Sequence, residues 1–234
     1  MNKTGFGFLR LPRLVETDET SIDFSVVDQM VDRFLELGGV YFDTAYTYLG
    51  GASEKGIGRA LTSRYPRSAF RLASKLPGWK LTSYDQCREI FREQLERCGV
   101  DYFDVYMLHW LNAANYAVCE KLDQFRFLRE LKAEGKAKAI GFSYHDGPEL
   151  LDQILTEHPE VDLVGVLPFN LPMCTSLKEV ERECLKHSMD RAPKKLKIPH
   201  LTRLDDNHIV LGKVINIFIA RTDKFREVGY DDNI

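Results

Sequence analysis

Four side chains suited to proton chemistry lie at or just beyond the ends of three strand-like segments. They are Asp43 and Tyr48 in VYFDTAYTY (40–48), Lys75 in FRLASK (70–75) and His109 in FDVYMLH (103–109). Each segment is mostly apolar and rich in residues that favour strands, and a helical stretch follows it. In a barrel of alternating strands and helices, the carboxyl ends of the strands meet on one face, where active sites are built. The sequence therefore predicts that these four side chains converge.

A tyrosine close to a lysine and a carboxylate is typical of a site that donates a proton. A free phenol has a pKa of about 10 and is a poor donor near neutral pH. A neighbouring ammonium lowers that pKa, and a carboxylate holds the ammonium in place. We therefore expect Asp43 and Lys75 to prepare Tyr48 to protonate an oxygen on which negative charge develops, and His109 to orient that oxygen. Carbonyl reduction also needs a hydride, which no side chain supplies, so this chemistry implies a nicotinamide cofactor.

Each of these residues also has a structural interpretation. Considered by itself, Asp43 is explained if it caps the following turn. Tyr48, considered by itself, is explained as an aromatic residue packed in a loop. A lone His109 beside Trp110 is explained by packing. Lys75 is harder to explain in this way, because a lysine at the end of an apolar strand is rarely buried without a partner. Their joint occurrence at corresponding strand ends favours the functional interpretation.

Helices and strands alternate along the first two thirds of the chain. Helical periodicity covers 23–37, 83–98, 117–134 and 148–157, and strand-like segments begin near residues 40, 70, 103, 138 and 162. Glycine follows the first three helices at Gly38, Gly99 and Gly135, where it accepts the left-handed conformation that ends a helix. Strands separated by helices of this length pair in parallel, because parallel neighbours need a crossover connection.

Two parallel α/β architectures fit this pattern, a doubly wound open sheet and a closed (β/α)8 barrel of the TIM type. The open sheet usually has a GxGxxG motif after its first strand, which the N-terminal GFGFLRLP lacks. A barrel distributes polar residues over several strand ends, as this chain does. We therefore predict a barrel. The repeat fades after about residue 170, so the barrel is expected to be incomplete or divergent in its last two βα units.

The composition is that of an ordinary globular domain. The 234 residues are 44% hydrophobic and 29% charged, with a net charge of −3. Interleaved acidic and basic residues argue against nucleic acid or an anionic membrane surface as the main partner. No apolar segment has the length of a signal peptide or a membrane span, so we expect a cytoplasmic protein. The five cysteines are widely spaced without a CxxC pair, which argues for buried thiols and against a metal site.

Four motifs in order along the chain resemble the aldo-keto reductases. They are GGVYFDTAYTYLGGASEKGIGRAL, LASKLP, DYFDVYMLHW and KAIGFS, and the resemblance covers roughly residues 5 to 165. It implies a (β/α)8 barrel that reduces aldehydes and ketones with NADPH or NADH and needs no metal. It also implies site residues: a catalytic tetrad of Asp43, Tyr48, Lys75 and His109 with Tyr48 as proton donor, cofactor contacts at Ser143 and Asn170, and a substrate pocket at Trp79 and Trp110. Rim packing is the alternative for the two tryptophans.

The later part of the chain departs from this family. MLHWLNAANY and GFSYHD look most like a bacterial branch whose members often carry a C-terminal iron–sulfur module, and this sequence lacks that module's cysteine cluster.

Gly165 stands where the family commonly has a glutamine. The loop that holds the adenosine phosphate has no recognisable counterpart, and the basic segment RAPKKLK (191–197) fits either a phosphate contact or a solvated linker. We expect a barrel portion at 1–170 and a divergent C-terminal segment of the same domain at 171–234.

A glycine-rich segment, GGASEKGIG, follows the proposed proton donor. Gly51 and Gly56 have the spacing of a phosphate-binding loop, but Ile57 replaces the required lysine. The segment is therefore predicted to be a turn that leads into a helix. Glu54 within it either faces the pocket or occupies the start of that helix, where a negative charge is favourable.

The sequence supports one principal function and two alternatives. The principal hypothesis is an NAD(P)H-dependent reductase of a small aldehyde or ketone. The alternatives are a non-catalytic homologue that senses a cofactor or binds a partner, and a truncated, inactive reductase. The sequence leaves open the substrate, the choice between NADH and NADPH, and the oligomeric state.

Overall fold

The chain folds into one β-sheet whose strands alternate with α-helices. The computed structural model describes residues 5–166 and 217–220, the last four by their backbone. The strands are β1 (Gly5–Gly7), β2 (Tyr41–Asp43), β3 (Arg71–Leu76), β4 (Phe103–Leu111), β5 (Ala137–Tyr144), β6 (Leu163–Val166) and β7 (Ile217–Ala220). The helices are α1 (Phe24–Glu36), α2 (Ala52–Ile57), α3 (Asp85–Cys98), α4 (Ala113–Lys121), α5 (Gln124–Ala133) and α6 (Pro148–Glu157).

The order of the strands identifies the architecture. Strands β1 to β6 are parallel and lie side by side in chain order. Parallel crossovers are right-handed in nearly all proteins, so strands that are always added on the same side place every connecting helix on one face. A doubly wound sheet instead reverses its order at a switch point. The strand order therefore confirms the predicted barrel-type fold and excludes the open sheet for this part of the chain.

The last strand departs from the barrel pattern. Strand β7 pairs antiparallel with β6, with Ile217 opposite Val166 and Ala220 opposite Leu163. A complete (β/α)8 barrel has a parallel seventh strand at this place. The expectation of a late divergence is thus confirmed at the edge of β6. Most of the predicted C-terminal segment, including 191–197, lies outside the described residues.

Alternating side chains of the strands enter two hydrophobic cores. The inner core is small and consists of Ala73, Val105, Met107, Ala139 and Leu163. The outer core is larger, rich in phenylalanine, and lies between the sheet and its helices. Lys75 follows Ala73 by two positions on β3 and so shares the inner face. The pleat of the strand therefore directs this lysine into the barrel interior.

Two local predictions differ from the structure. The expected helix at 117–134 is two helices, because α4 ends at Lys121 and Asp123 takes a left-handed conformation with a φ of 50° before α5. Aspartate tolerates this region better than most residues do, so the break is not visible in the apolar periodicity. Strand β1 is not predicted from the sequence, since three residues are too few to show alternation.

The described helices and cysteines agree with the composition. None of these helices combines the length and the apolar character needed to cross a membrane. Cys87, Cys98 and Cys119 are buried free thiols, as the sequence predicts for the first two. Burial raises the pKa of the Cys87 thiol to about 12, so it packs as a small apolar group.

Candidate active site

A buried ion pair joins the carboxyl ends of β2 and β3. Lys75 Nζ lies 2.8 Å and 2.7 Å from the two carboxylate oxygens of Asp43 and 2.8 Å from the carbonyl oxygen of Thr44. Both charged side chains are only 4% exposed. Asp43 is opposite Ala73 in the sheet, so a lysine two positions further along β3 reaches across to it. The structure therefore brings two of the four predicted residues together.

Tyr48 joins this pair from the turn after β2. The turn continues through Leu49 and Gly50, whose φ angles of 51° and 60° lie in the left-handed region. Lys75 Nζ lies 3.1 Å from Tyr48 Oη. Because an ammonium group can only donate, the phenol oxygen is the acceptor in this contact. The hydroxyl hydrogen of Tyr48 is thereby left to point toward another acceptor.

Burial dominates the protonation of the tyrosine. Burial raises the pKa of Tyr48 above the usual phenol value, the Lys75 ammonium lowers it, and the Asp43 carboxylate raises it again. The expected net fall in the pKa of Tyr48 is therefore wrong: the ammonium acts in the expected direction, but the loss of water around the phenol outweighs it. For Lys75, burial lowers the pKa, yet Asp43 and Tyr48 together raise it above its usual value. At neutral pH the phenol holds its proton and the lysine is charged.

His109 faces the tyrosine from the carboxyl end of β4. The rings of Tyr48 and His109 are nearly perpendicular, with centroids 5.5 Å apart. The Nδ1 atom of His109 is buried and has no hydrogen-bond partner among the described residues. Burial lowers the pKa of His109 well below its usual value, and the charges of Lys75 and His145 lower it further. The imidazole is thus neutral and carries one N–H that can donate a hydrogen bond.

Two tryptophans stand beside His109. The ring of Trp79 lies 5.3 Å from that of His109 and 5.4 Å from that of Trp110, both at steep angles. Trp110 is 42% exposed and has a φ of 59°, which is unusual for a bulky residue. Its backbone N–H donates to Ser143 Oγ at 2.6 Å, and its carbonyl accepts from Asn115 at 2.7 Å. Both tryptophans therefore border the place where the pocket is predicted.

One of the two predicted cofactor residues is described. Asn170 lies outside the described residues, whereas Ser143 lies near the carboxyl end of β5 and is 5% exposed. Its oxygen accepts the hydrogen bond from Trp110, and within the described ranges its own hydrogen has no acceptor. Gly165, at the position where the resemblance places a glutamine of the family, is directly opposite Ser143 on β6. Among the described residues, the serine hydroxyl therefore donates to no acceptor, and it lies next to a position without a side chain.

Three polar residues near these strand ends are not among the predicted site residues. His145 follows Ser143 by two positions and its ring lies 6.5 Å from that of Trp110; burial lowers its pKa to about 4. Its place just after an apolar strand is the signal that could have identified it. Glu54 does not face the pocket but is buried behind β3 with Gln94. Gln94 is polar on the apolar stripe of α3, which is a visible anomaly in the sequence.

A separate group of potential metal ligands lies on the outer helices. The ligand atoms of Glu120, Glu157 and His158 all lie within 4.8 Å of one another. His158 Nε2 is 3.1 Å from Glu120 Oε1, and its ring stacks on Phe125 with centroids 3.6 Å apart. Tyr116 donates a hydrogen bond to Glu157. These existing partners explain the group as packing between α4, α5 and α6.

Comparison with known proteins finds aldo-keto reductases and a methylglyoxal reductase among the relatives of this chain. A sequence model described as the Aldo/keto reductase family matches residues 5–190. An aldo-keto reductase of Mycolicibacterium smegmatis is 32% identical over 143 residues, which cover 60% of this chain and 46% of that protein. The NADH-specific methylglyoxal reductase of Escherichia coli is 30% identical over 154 residues, which cover 57% of this chain and 46% of that protein.

A solved structure shares the fold. An aldo-keto reductase of Klebsiella pneumoniae in complex with NADPH matches with a TM-score of 0.54 and 20% identity, covering 80% of this chain and 60% of that chain. At this identity the likeness concerns the fold alone. The chain spans about half the length of the curated relatives it matches.

Proposed function

We propose, from the premise that this chain belongs to the aldo/keto reductase family, that it reduces the carbonyl group of a small aldehyde or ketone. The observation that carries this proposal is the position of Lys75 Nζ, which contacts both the Asp43 carboxylate and the Tyr48 hydroxyl. In an arrangement of this kind the phenol can donate its proton, and the adjacent cation then stabilises the phenolate that is formed. A purely structural ion pair has no need of the third group.

Tyr48 is the proposed proton donor. It gives its proton to the carbonyl oxygen as negative charge develops there, and the phenolate is then stabilised by the ammonium of Lys75 at 3.1 Å. Asp43 keeps Lys75 charged and in place, since the carboxylate raises the pKa of the buried lysine. The raised pKa of Tyr48 keeps the proton on the phenol until an acceptor of sufficient basicity forms.

His109 and Ser143 are proposed to orient the reactants. The neutral imidazole of His109 donates its N–H to the same carbonyl oxygen, and this placement agrees with its contact with the Tyr48 ring. A bound nicotinamide cofactor supplies the hydride. The hydroxyl hydrogen of Ser143, which has no acceptor among the described residues, suits an amide oxygen such as that of a carboxamide, so these residues fit this end of the cofactor. Asn170 is proposed as a further contact on the sequence resemblance alone.

The cofactor and substrate are proposed as classes. The Escherichia coli relative is named NADH-specific, and the Klebsiella structure contains NADPH, so we propose either cofactor for this chain. Methylglyoxal, named in that relative, is the first carbonyl to test. Trp79 and Trp110 would bound a small and partly apolar pocket. A small carbonyl compound, and neither nucleic acid nor a membrane, is the proposed partner.

The proposed domain organisation keeps the boundary expected from the sequence. Residues 1–170 form the barrel portion, and 171–234 form a C-terminal segment of the same domain. The family match extends to residue 190 and so runs past this boundary, which supports a single domain.

The test combines cofactor binding with turnover. Quenching of protein fluorescence is measured on titration with NADPH and with NADH, and reduction of methylglyoxal and a panel of aldehydes and ketones is followed at the nicotinamide absorbance. Tyr48→Phe is expected to lower kcat/KM by about 10²- to 10⁴-fold without weakening cofactor binding. Tyr46→Phe is the matched control, because it also removes a tyrosine hydroxyl from this turn. The hydroxyl of Tyr46 donates to Glu93 at 2.9 Å and does not contact Lys75.

The outcomes separate the alternatives. Full activity of Tyr48→Phe would overturn its role as proton donor. Cofactor binding without turnover of any carbonyl would favour a cofactor-sensing homologue, and neither binding nor turnover would remove the proposal altogether.

A further inference from the structure

A second polar cluster lies behind the proton-donating face, between the sheet and its helices. Its centre is Glu54 of α2, which is fully buried. Glu54 Oε1 accepts hydrogen bonds from Ser74 Oγ and from Gln94 Nε2, both at 2.6 Å. The other carboxylate oxygen lies 3.4 Å from an Arg97 nitrogen. One carboxylate therefore joins α2, β3 and α3.

The same cluster reaches the backbone of Lys75. Gln94 Nε2 lies 3.1 Å from the carbonyl oxygen of Lys75 and 2.9 Å from Ser74 Oγ. Gln94 Oε1 accepts a hydrogen bond from the Tyr106 hydroxyl at 2.5 Å. Ser74 and Lys75 are neighbours on one strand, so their side chains point to opposite faces of the sheet. Glu54 thus anchors the outer side of the strand segment whose inner side carries the lysine.

Glu54 also belongs to the segment that carries Tyr48. The turn after Tyr48 leads directly into α2 through Leu49, Gly50 and Gly51, with φ angles of 51°, 60° and 91°. Glycine adopts the left-handed region without strain, whereas a leucine, such as Leu49, stays there only where neighbouring structure holds it. The anchored carboxylate of Glu54, in the first turn of α2, provides such a hold shortly after Leu49.

We infer that Glu54 is a positioning residue that sets the contact between Tyr48 Oη and Lys75 Nζ. It ties the turn that bears the tyrosine to the strand that bears the lysine, on the side remote from the pocket. The catalytic role of this contact rests on the proposed function, whereas the contact itself can be measured without turnover. The inference therefore has a readout that does not require an active reductase.

A purely structural role for Glu54 predicts different behaviour. Burial raises the pKa of Glu54 above its usual value although Ser74, Gln94 and Arg97 lower it, so the charged carboxylate is held at a cost. A residue that only packs would change the free energy of unfolding when replaced. A residue that positions the turn would change the titration of Tyr48 as well.

The groups that face Tyr48 determine the direction of that change. Asp43 of β2, Lys75 of β3 and His109 of β4 surround it. Of these, the ammonium of Lys75 lowers the pKa of Tyr48 and the carboxylate of Asp43 raises it. When the contact with Lys75 lengthens, the phenol loses the lowering influence. Loss of Glu54 is therefore expected to raise the pKa of Tyr48 further and to slow proton donation.

The experiment compares Glu54→Ala and Glu54→Gln with Asp104→Asn as a matched control. Asp104 is another buried carboxylate, on β4, which accepts from the Leu72 backbone N–H at 2.8 Å and from Arg67 at 2.5 Å. Four quantities are measured: kcat, KM, the pH dependence of kcat, and the ¹³C NMR titration of the Tyr48 ring in ¹³C-tyrosine-labelled protein. The Tyr48 resonance is assigned with Tyr48→Phe.

Glu54→Ala is expected to lower kcat by about 100-fold with little change in KM, as for a small misplacement of a reacting group. Its Tyr48 titration and its pH profile move to higher pH. Glu54→Gln recovers most of the activity, because the amide oxygen still accepts from Ser74 and Gln94. Asp104→Asn lowers the melting temperature but leaves kcat and the Tyr48 titration unchanged.

The results distinguish this inference from the proposed function. An unchanged Tyr48 titration in Glu54→Ala would overturn the positioning role. Should Glu54→Ala fail to fold, Ser74→Ala removes one of the two short hydrogen bonds and must move the titration in the same direction, and no movement would equally overturn it. A titration that moves in a protein without any turnover would instead remove the reductase proposal and leave the positioning role standing.

Discussion

The two ends of the parallel strands use buried aspartates in different ways. At the carboxyl ends, Asp43 holds Lys75, whose ammonium also contacts the Tyr48 hydroxyl. At the amino ends, two aspartates each accept a hydrogen bond from a backbone N–H of the neighbouring strand and from a cation. These contacts join Asp104 to Leu72 N at 2.8 Å and Arg67 at 2.5 Å, and Asp162 to Ile140 N at 2.9 Å and Lys132 at 2.5 Å.

The difference lies in the third partner. At the amino ends that partner is a backbone N–H of the neighbouring strand, which is far too weak an acid to give up its proton, so the aspartates fix the pairing of neighbouring strands. At the carboxyl ends the third partner of the ion pair is a phenol that can lose a proton. Buried ion pairs add little net stability compared with apolar packing. The role of such a pair is therefore indicated by the further groups that it contacts, and not by its presence alone. On this comparison, variants at the carboxyl ends should alter chemistry and variants at the amino ends should alter stability.

The largest expected effect is that of Lys75→Met. The methionine leaves the buried Asp43 carboxylate without its ammonium partner, which is expected to cost about 3 to 5 kcal/mol in free energy of unfolding. Activity is expected to be lost as well, because Tyr48 loses its cation. Urea unfolding and turnover with the best carbonyl of the panel measure the two effects.

The double variant Asp43→Leu/Lys75→Met is the control for this prediction. Replacing both charges by apolar groups should restore most of the stability, since no buried charge remains. Activity should stay lost. Recovery of activity together with stability would show that the ion pair has only a structural role and would remove the contrast between the two ends.

Asp104→Ala is expected to show the opposite pattern. The variant leaves the Leu72 backbone N–H without its acceptor and deprives Arg67 of its carboxylate partner, which should cost about 2 kcal/mol in free energy of unfolding. Because Asp104 faces the helices at the start of β4, kcat and KM should change by less than about twofold. A loss of activity without a loss of stability would contradict the proposed division between the strand ends.

The sequence predicts well where the residues proposed for proton donation lie, because one physical rule controls their placement. Asp43, Lys75 and His109 each end an apolar segment, and parallel strands gather their carboxyl ends on one face. The order of apolar strands and helices in the sequence is therefore enough to predict that these side chains lie close together. The same rule indicates a barrel, since polar strand ends spread over several strands do not suit a single crevice.

The remaining details depend on packing that the pattern does not contain. The left-handed backbone at Leu49 and Trp110 arises from hydrogen bonds and neighbours that only the folded chain provides. The raised pKa of Tyr48 depends on how far water is excluded, which a list of neighbouring charges does not reveal. The antiparallel direction of β7 likewise depends on which strand it pairs with, and not on its local conformation.

The smallest effect is a loss of stability in mild acid that arises at the carboxyl ends. Burial lowers the pKa of His145 to about 4 and that of His109 well below its usual value. The unfolded chain, in which a histidine has a pKa of about 6.5, binds more protons than the folded chain between that pKa and the lowered one. Stability is therefore complete above about pH 6.5 and falls as the pH decreases. For His145 alone we expect a loss of about 1 kcal/mol between pH 7.5 and 5.5.

His145→Gln tests whether this loss comes from the predicted face. Glutamine does not titrate, so the free energy of unfolding, measured with urea at both pH values, should decrease less in the variant than in the wild type. The lysine of the same face does not contribute to this loss, because its pKa is raised and its stabilisation is lost only in alkali. An equal decrease in the variant and the wild type would place the acid sensitivity elsewhere. The carboxyl ends would then differ from the amino ends in their chemistry but not in their response to acid.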